Sequence, residues 1–417
     1  MIKIKKLEEK QDVYDIQVPE TSCFYANNIL VHNCEIYQFT DEDTTAICTL
    51  SSMVIKNFVI DGKFDFNLLY NETRRVTRAL NKVIDINNYS TEKGRKGGLE
   101  QRAIAIGVQG LADVFYLLDY SFTSNESRKL NKEIFETIYF ATITESNELC
   151  KTGEYRPYTH FEGSPMSKGI FQFDMWGLTE DQLSGRWDWK TLKENVSKFG
   201  VCNSLFTAQM PVASSAKVTG SYEMTEPAHS AIFNRRVVGG EIMIVNKYLI
   251  NDFEKLGIWS EDLKNEIILN EGSIQNINFN KYLDNEDKNY HKKVKRIEQL
   301  IPKYKTIWEI SQRELIDMSA DRAPFIDQSQ SMNIYMGNPT LSKITSSHFH
   351  AWEKGLKTLC YYVRTKAIST GAKHLAVDIS KIDKPKSKQE TPKVDIIKTN
   401  LPEKPKDSQF ECFGCSS

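Results

Sequence analysis

Strand-like and helical segments alternate along this chain from Cys34 to about Asp378, without an internal repeat. Stretches in which apolar and other residues alternate have the period of a strand, whereas apolar residues three and four apart have the period of a helix. The clearest segments are a helix containing Val76, Ala79, Leu80 and Val83, a strand at 104–108, a helix at 111–119, a strand at 240–246, and a helix followed by a strand within 352–365. Regular interleaving of this kind predicts one large α/β domain.

The two ends of the chain differ from this central part. Residues 1–33 contain three short apolar bursts, MIKIKKL, VYDIQV and CFYANNILV, which predict three strands of a small all-β segment. These bursts hold too little apolar surface to fold alone. Residues 379–417 are rich in lysine and proline, as in a solvated linker, and end in CFGCSS. We therefore predict three parts, at 1–33, 34–378 and 379–417.

Composition excludes several classes of protein. The 417 residues are 40% hydrophobic and 26% charged, enough for a large core, and the formal charge of −1 gives no reason to expect a nucleic-acid partner. No apolar run reaches about 18 residues, and MIKIKKLEEKQD has no signal-peptide core, so no membrane segment is predicted. The eight cysteines are mostly isolated, which favours the reducing conditions of a cytoplasm.

The trio His32-Asn33-Cys34 has the chemistry of a self-cleaving peptide junction. An asparagine side-chain amide can cyclise onto its own carbonyl carbon and break the following peptide bond. A cysteine thiol can then accept an acyl group, and a histidine can move the proton. Standing alone, such a trio is usually accidental.

The residues around this trio resemble the carboxy-terminal end of inteins, the self-excising protein elements, in VYDIQV and FYANNILVHNC. The resemblance implies that Asn33 cyclises and that His32 assists it. It also makes Cys34 the first extein residue and acceptor nucleophile, and Asp15 the carboxylate of the preceding block. Ser22 stands where many inteins carry a proton-transferring histidine, so the group that assists that step stays open.

The position of the junction also bears on the kind of intein. Because Met1 lies 33 residues before Cys34, the resemblance implies the carboxy-terminal half of a split intein, with the other half at the end of a second polypeptide. In that case residues 1–33 leave the mature protein. The alternative is that residues 1–33 are simply an edge hairpin.

After the junction, seven segments carry a second resemblance: EIYQFTDEDTTAICTLSS (35–52), RAIAIGVQGLADVFYLLD (102–119), NSLFTAQMPVASSAKVTGSYEMTEP (203–227), FNRRVVGGEIMIVN (233–246), RAPFIDQSQSMNI (322–334), GLKTLCYYVRT (355–365) and CFGC (412–415). In sequence and in order, these segments resemble the large subunit of class I ribonucleotide reductases, in the manner of eukaryotic and viral members. They imply a ten-stranded α/β barrel of the reductase type, completed when both halves of the protein are joined.

The resemblance implies two catalytic residues close to the junction. The family places its radical cysteine in an Asn-Leu-Cys-x-Glu-Ile stretch, so Cys34 falls on the x position and Glu35 is the carboxylate that handles the 3'-hydroxyl proton. Cys48 matches one of two cysteines that form a disulfide as the ribose is reduced, although a cysteine in an apolar strand is more often a core residue. The radical cysteine and the partner of Cys48 are expected upstream, on the other polypeptide.

Val212, Ala213, Ser214 and Ser215 match residues that contact the substrate diphosphate. They stand where Pro211 and small residues predict the start of a helix, whose N–H groups and hydroxyls can hold an anion. Without the resemblance, an ordinary helix cap is the default interpretation.

Tyr361 and Tyr362 match adjacent tyrosines that relay a radical from the small subunit. A phenol can lose an electron and a proton together, although two tyrosines in a strand, taken alone, predict core packing. Cys412 and Cys415 form a C-x-x-C pair, which suits a reversible disulfide or half of a zinc site. No second pair accompanies it, so redox chemistry is favoured and no metal site is predicted in this chain.

The function implied by both resemblances is a precursor that splices in trans into the large subunit of a cytoplasmic ribonucleoside-diphosphate reductase. Expected partners are the polypeptide carrying the amino-terminal reductase portion and the other intein half, a metal-containing small subunit that supplies the radical, thioredoxin or glutaredoxin, ribonucleoside diphosphates and a second copy in a homodimer. Allosteric nucleotides are expected on the amino-terminal portion, and no cofactor on this chain. The alternative is a non-catalytic, reductase-derived subunit that only binds the small subunit.

Overall fold

The computed structural model describes residues 39–237 and 240–366, and also two short strands at 23–26 and 29–32. The chain divides into two units, Met1–Ala367 and Ile368–Ser417, and the second lies outside the described residues. The domain boundary expected at residue 378 stays a prediction. None of the helices in the described ranges is long and apolar enough to cross a membrane.

The described part of the chain contains ten strands and twelve α-helices, besides five short 3-10 helices. The strands are β1 Cys23–Ala26, β2 Ile29–His32, β3 Leu50–Val54, β4 Val59–Ile60, β5 Lys63–Phe64, β6 Ala105–Gln109, β7 Ile232–Val237, β8 Gly240–Val245, β9 Asn333–Tyr335 and β10 Tyr362–Arg364. The helices are α1 Phe66–Ile86, α2 Glu92–Gln101, α3 Leu111–Leu117, α4 Asn125–Lys151, α5 Gln172–Met175, α6 Trp189–Phe199, α7 Ala213–Thr219, α8 Lys247–Leu256, α9 Glu261–Leu269, α10 Tyr290–Lys303, α11 Gln312–Arg322 and α12 Leu341–Glu353. The prediction of an α/β domain is confirmed.

Parallel strand segments lie side by side in the centre of the fold. Strand β3 pairs in parallel with β6, and β6 is bridged in parallel to Thr207. A further parallel bridge joins Gln209 to Gln330, and β9 pairs in parallel with β10. The order across the sheet is therefore β3, β6, residues 205–209, residues 328–335 and β10. These segments form an open sheet and no closed barrel within the described ranges, so the ten-stranded barrel stays a prediction.

A glycine allows the close approach of two neighbouring segments in this sheet. A side-chain carbon at Gly107 of β6 would lie 2.4 Å from the backbone oxygen of Ala208 and 2.8 Å from the sulfur of Met210. A real side-chain carbon is not found this close to a non-bonded atom, because the two atoms would overlap. Glycine at this position therefore lets β6 lie against the segment that leads into α7.

Helix α1 shows where the sequence pattern and the fold agree and where they differ. The predicted helix is present, and Asp65 caps it by accepting a hydrogen bond from the Leu68 N–H at 2.9 Å. Its buried face, however, consists of Leu69, Thr73, Thr77, Leu80, Asn81 and Ile84. Ala79 and Val83, which belong to the apolar pattern in the sequence, are exposed. The helix was therefore predicted correctly, whereas its inward face differs from the apolar pattern.

The smaller sheets are two-stranded and antiparallel. The predicted strand at 240–246 is confirmed as β8, which pairs with β7 from Ile232↔Val245 to Val237↔Gly240. The amino-terminal burst CFYANNILV is a hairpin of β1 and β2 rather than a single strand, with Cys23 opposite His32. The strands predicted in MIKIKKL and VYDIQV lie outside the described residues.

Candidate active site

Cys48 lies just before β3, the first strand of the parallel sheet. It lies two positions before β3 and is exposed. The next residue, Thr49, accepts a hydrogen bond from the N–H of Ala105 at 2.9 Å, which fixes this end of β3 beside β6. An exposed thiol is accessible to a reductant, as a redox cysteine requires, whereas a core cysteine is inert.

The predicted diphosphate-contacting residues lie at the start of a helix, as expected. Val212 is buried and immediately precedes α7, and within the described residues no side chain caps this helix end. Ser214 and Ser215 are exposed. The Ser215 hydroxyl donates to the side-chain oxygen of Gln109 at 3.0 Å, so it is held by the end of β6. Uncapped N–H groups at a helix start are available to an anion.

Gln109 has a positioning role that the sequence pattern did not indicate. It is buried at the end of β6, and its amide nitrogen donates to the Thr219 hydroxyl at 3.3 Å while its oxygen accepts from Ser215. One amide therefore contacts both the first and the last turn of α7. The only signal in the sequence is its position in Gly-Val-Gln-Gly, where a strand ends before a helix.

A small apolar cluster connects the strand beside Cys48 with α7. Its buried members are Ala105, Ala208, Met210, Val212, Ala216 and Met224. Ala105 is the residue whose N–H fixes Thr49, whereas Val212 and Ala216 anchor the inner side of α7. The end of the sheet that lies near Cys48 and the start of α7 are thus packed against the same apolar cluster.

Tyr361 and Tyr362 are in direct contact. Their ring centroids lie 4.3 Å apart at an interplanar angle of 65°. Tyr361 is 8% exposed and its N–H donates to Met332 at 2.7 Å, whereas Tyr362 is half-buried and begins β10. The guanidinium of Arg364 lies 5.0 Å from the Tyr362 ring centre. The pair therefore leads from the partly exposed side of β10 to the interior.

A buried carboxyl group is bound to β9, the strand that pairs with β10. Glu226 accepts hydrogen bonds from the Tyr335 hydroxyl at 2.5 Å and from the Asn333 side chain at 2.7 Å, and both residues belong to β9. His229 bonds the same Tyr335 hydroxyl at 2.8 Å. Burial raises the pKa of Glu226 to about 7, although the bonds from Tyr335 and Asn333 oppose this change. Sequence reasoning did not single out Glu226, because its partners lie more than 100 positions away.

A lysine holds the segment that leads to the tyrosine pair. The Lys357 ammonium donates to the backbone oxygens of Ile326, Asp327 and Gln328 at 3.0, 2.6 and 3.0 Å. The Asp327 carboxylate in turn accepts from the N–H groups of Phe206 and Thr207 at 2.8 and 2.9 Å. Burial raises the pKa of Asp327 to about 6. Lys357 and Asp327 together therefore connect the segment that precedes β10 with residues 326–328 and with residues 206–207.

A cavity of about 240 Å³ adjoins the second half of α7. Its walls include Lys217, Tyr222, Glu226, His229 and Lys247. Of the α7 residues, Ala216 and Lys217 line it, so the predicted diphosphate contacts lie at the other end of the helix.

Several predicted site residues lie outside the described residues, namely Asp15, Asn33, Cys34, Glu35, Cys412 and Cys415. For His32, the structure gives only its place at the end of β2. Across the ranges that are described, no group of three or more His, Cys, Asp or Glu side chains could hold a metal ion. The roles of all these residues stay predictions.

Comparison with known sequences identifies the domain. The sequence model of the family described as "Ribonucleotide reductase, barrel domain" matches residues 26–362. The match begins within the segment predicted to be an intein. Residues 26–33 are therefore assigned to the reductase domain by the family match and to the intein by the sequence prediction.

Individual relatives agree with the family match. The ribonucleoside-diphosphate reductase large subunit of Caenorhabditis elegans is 46% identical over 334 residues, which are 80% of this chain and 40% of that protein. The large subunit of Acanthamoeba polyphaga mimivirus is 42% identical over 359 residues, or 85% of this chain and 39% of that protein. The chain thus spans less than half the length of these relatives.

A solved structure supports the fold. The class Id ribonucleotide reductase alpha subunit of Actinobacillus ureae superposes with a TM-score of 0.55 over 79% of this chain and 52% of that chain, at 22% identity. Fold, family match and relatives agree, and the chain therefore belongs to the ribonucleotide reductase family, as a barrel domain of the large subunit.

Proposed function

We propose that this chain supplies the barrel of a ribonucleoside-diphosphate reductase large subunit, which reduces ribonucleoside diphosphates to 2'-deoxyribonucleoside diphosphates by radical chemistry. The observation that carries the proposal is the contact between Tyr361 and Tyr362, whose ring centroids lie 4.3 Å apart with one ring buried. Radical transfer in steps needs phenols in contact that connect a surface with an interior. The names of the relatives, which are reductase large subunits, support the same activity.

The reaction assigns different tasks to the residues of this chain. Reduction needs a hydrogen atom taken from C3' of the ribose, loss of the 2'-hydroxyl as water, and two thiols that supply two electrons and two protons. Glu35 handles the 3'-hydroxyl proton, and Cys48 is one of the two thiols. The exposure of Cys48 suits reduction of the resulting disulfide by Cys412 and Cys415, which thioredoxin or glutaredoxin then reduces.

The substrate diphosphate is held at the start of α7 in this proposal. Backbone N–H groups of Ala213, Ser214 and Ser215 face an anion at a helix end that no described side chain caps. The Ser215 hydroxyl donates to Gln109 at 3.0 Å in this structure and would turn from that oxygen to donate its proton to the diphosphate. The α7 site therefore recognises the diphosphate group that all ribonucleoside diphosphates share.

The radical enters through Tyr362 and continues to Tyr361. The half-buried Tyr362 is the first phenol that a docked small subunit would meet, and the buried Tyr361 is the second. The metal-containing small subunit supplies the radical, and no metal is assigned to this chain. Each transfer moves one electron and one proton from the phenol that becomes oxidised.

We further propose that the bond between Asn33 and Cys34 is a splice junction. The support is the intein-like sequence FYANNILVHNC, with Asp15 in the preceding block. Splicing with a second polypeptide would add the radical cysteine, the partner of Cys48 and the allosteric nucleotide sites. It would also complete the open sheet to a ten-stranded barrel, and the product would act as a cytoplasmic homodimer.

The tyrosine pair provides the test of the reductase function. In the complete large subunit with its small subunit, Tyr361→Phe should abolish deoxynucleotide formation while ribonucleoside diphosphate binding stays intact, because phenylalanine cannot be oxidised at an accessible potential. Tyr158→Phe is the matched control, since Tyr158 is half-buried and packs edge-on against Phe161. Normal turnover of Tyr361→Phe would refute the relay, and a wild type that binds the small subunit but makes no product would support the non-catalytic alternative.

The splice junction is tested separately. Co-expression with the polypeptide that carries the other intein half should yield a joined product without residues 1–33, detected by intact mass. An unchanged chain that nevertheless completes an active reductase would show that residues 1–33 belong to the mature domain.

A further inference from the structure

A third tyrosine lies on the strand beside the tyrosine pair. Strand β9 pairs in parallel with β10, and Asn333 lies opposite Tyr362. Two residues further on, Tyr335 lies opposite Arg364. Alternate residues of a strand point to the same face, so Tyr335 and Tyr362 belong to one face of this sheet. Their Cα atoms are about 8 Å apart, because neighbouring strands are about 4.8 Å apart and rise about 3.3 Å per residue.

The side chain of Arg364 connects the two phenols electrostatically. Its guanidinium lies 5.0 Å from the centre of the Tyr362 ring. Burial raises the pKa of the Tyr335 phenol well above its usual value, and the same guanidinium opposes this change. The register is fixed at this point, since the N–H of Met336 donates to the backbone oxygen of Arg364 at 2.9 Å. One cation therefore acts on a phenol of each strand.

The Tyr335 hydroxyl already has a proton acceptor in place. It donates to the Glu226 carboxylate at 2.5 Å, and the two residues are 4% and 5% exposed. The Nε2 atom of His229 lies 2.8 Å from the same hydroxyl. The phenol has one proton to donate, so with the carboxylate as its acceptor the imidazole donates to the phenol oxygen. A proton can thus leave Tyr335 along an existing hydrogen bond at the moment the ring loses an electron.

The surroundings of Tyr335 separate the path of the proton from the ring. Glu226 and His229 both line the cavity of about 240 Å³, which is large enough for several water molecules. A proton that reaches Glu226 is therefore next to a space through which it can be exchanged. The Tyr335 ring itself is buried and packs edge-on against Trp308, with ring centroids 5.3 Å apart. Water has little access to this ring, so an oxidised Tyr335 would be protected from side reactions.

We propose that Tyr335 is a side branch of the radical relay, a phenol that takes the radical from Tyr362 reversibly and holds it while no substrate is being reduced. This inference rests on the proposed reductase function, in which the small subunit oxidises Tyr362. The oxidised Tyr362 takes one electron from Tyr335 and one proton from water at its exposed edge. The O–H bond of Tyr335 breaks, and its proton joins the Glu226 carboxylate. The reverse step returns the radical to Tyr362 and the proton to Tyr335.

The test uses the complete large subunit, in which all tyrosine rings are deuterated, together with an unlabelled small subunit. Tyr361→Phe blocks the onward step, so the radical that reaches Tyr362 should collect on Tyr335. Rapid freezing and electron paramagnetic resonance should then show a tyrosyl signal narrowed by deuterium, which distinguishes it from any radical of the small subunit.

Further substitutions in the Tyr361→Phe protein assign this signal. Tyr335→Phe keeps the ring beside Trp308 and should abolish the labelled signal, because the radical then returns from Tyr362 to the small subunit. Glu226→Gln should weaken the signal, since an amide cannot take up the proton. Tyr158→Phe is the matched control and should leave the signal unchanged, because Tyr158 packs against Phe161 and not against the relay.

The possible results separate this branch from the reductase function. A labelled signal that persists in full after Tyr335→Phe lies on another tyrosine and overturns the proposal. The proposal is also overturned, with the reductase function intact, if the wild type makes deoxynucleotides but the Tyr361→Phe protein gives no labelled signal. A wild type that gives neither product nor labelled signal contradicts both. Circular dichroism and small-subunit binding equal to the wild type establish that each variant folds and docks.

Discussion

Replacing Glu226 by glutamine should change how the stability of this chain depends on pH. Glutamine has nearly the shape of the protonated carboxyl group but cannot ionise, so the comparison isolates the charge. Burial raises the pKa of Glu226 from 4.5 to about 7 in the folded chain. A carboxyl group with a raised pKa binds its proton more tightly in the folded state. Its contribution to stability is therefore complete below about pH 4.5 and is lost as the pH rises through about 7.

The size of the effect follows from this difference in pKa. At about 1.4 kcal/mol per pH unit, the wild type should lose roughly 2 to 3 kcal/mol relative to Glu226→Gln between pH 5 and pH 8. The amide also replaces one acceptor oxygen that faces Tyr335 or Asn333. That change costs about 1 to 3 kcal/mol at every pH and leaves the pH dependence unaffected.

Urea unfolding of the full chain at pH 5, 6, 7 and 8 measures the difference. Glu286→Gln, at an exposed position, is the control and should stay within about 0.5 kcal/mol of the wild type at each pH. Because His229 bonds Tyr335, the comparison is repeated in a His229→Gln background to remove the titration of the imidazole. If the free energies of unfolding of wild type and Glu226→Gln differ by the same amount at pH 5 and pH 8, the pKa of Glu226 is not raised in the folded chain.

Three further substitutions test other parts of the structure. Gly107→Ala should lower the free energy of urea unfolding by about 2 to 3 kcal/mol, because the new carbon would lie 2.4 Å from the oxygen of Ala208; a loss below about 0.5 kcal/mol would contradict the close approach. Ser215→Ala should weaken ribonucleoside diphosphate binding about 5- to 10-fold in calorimetry of the complete enzyme, since one hydrogen bond is lost; an unchanged Kd would remove the serine from the diphosphate site. Asn33→Ala should leave residues 1–33 attached in intact mass spectra after co-expression with the other intein half, and their release would exclude asparagine cyclisation.

The site illustrates how far local sequence patterns reach. The start of α7 could be predicted because Pro211 and the small residues after it are local signals. The partner of Ser215 could not be predicted, because Gln109 lies 106 positions away and only the packing of β6 against α7 brings the two together. The contact between the Ser146 hydroxyl and the Cys202 sulfur likewise needs α4 to pack against a distant strand segment.

The sequence by itself determined the class of the domain, the existence of α1, β6, α3 and β8, and the membership of the reductase family, because periodicity and motifs are properties of neighbouring residues. Only the tertiary structure decided which face of α1 is buried. The Arg102 side chain donates to the Asn81 side chain and backbone at 3.1 and 2.8 Å, and the buried Glu145 of α4 binds Arg74 at 2.8 Å. Polar residues are thereby drawn inward, while the apolar Val83 stays exposed. A helix period fixes the spacing of side chains, whereas the neighbouring elements decide which of them leave the solvent.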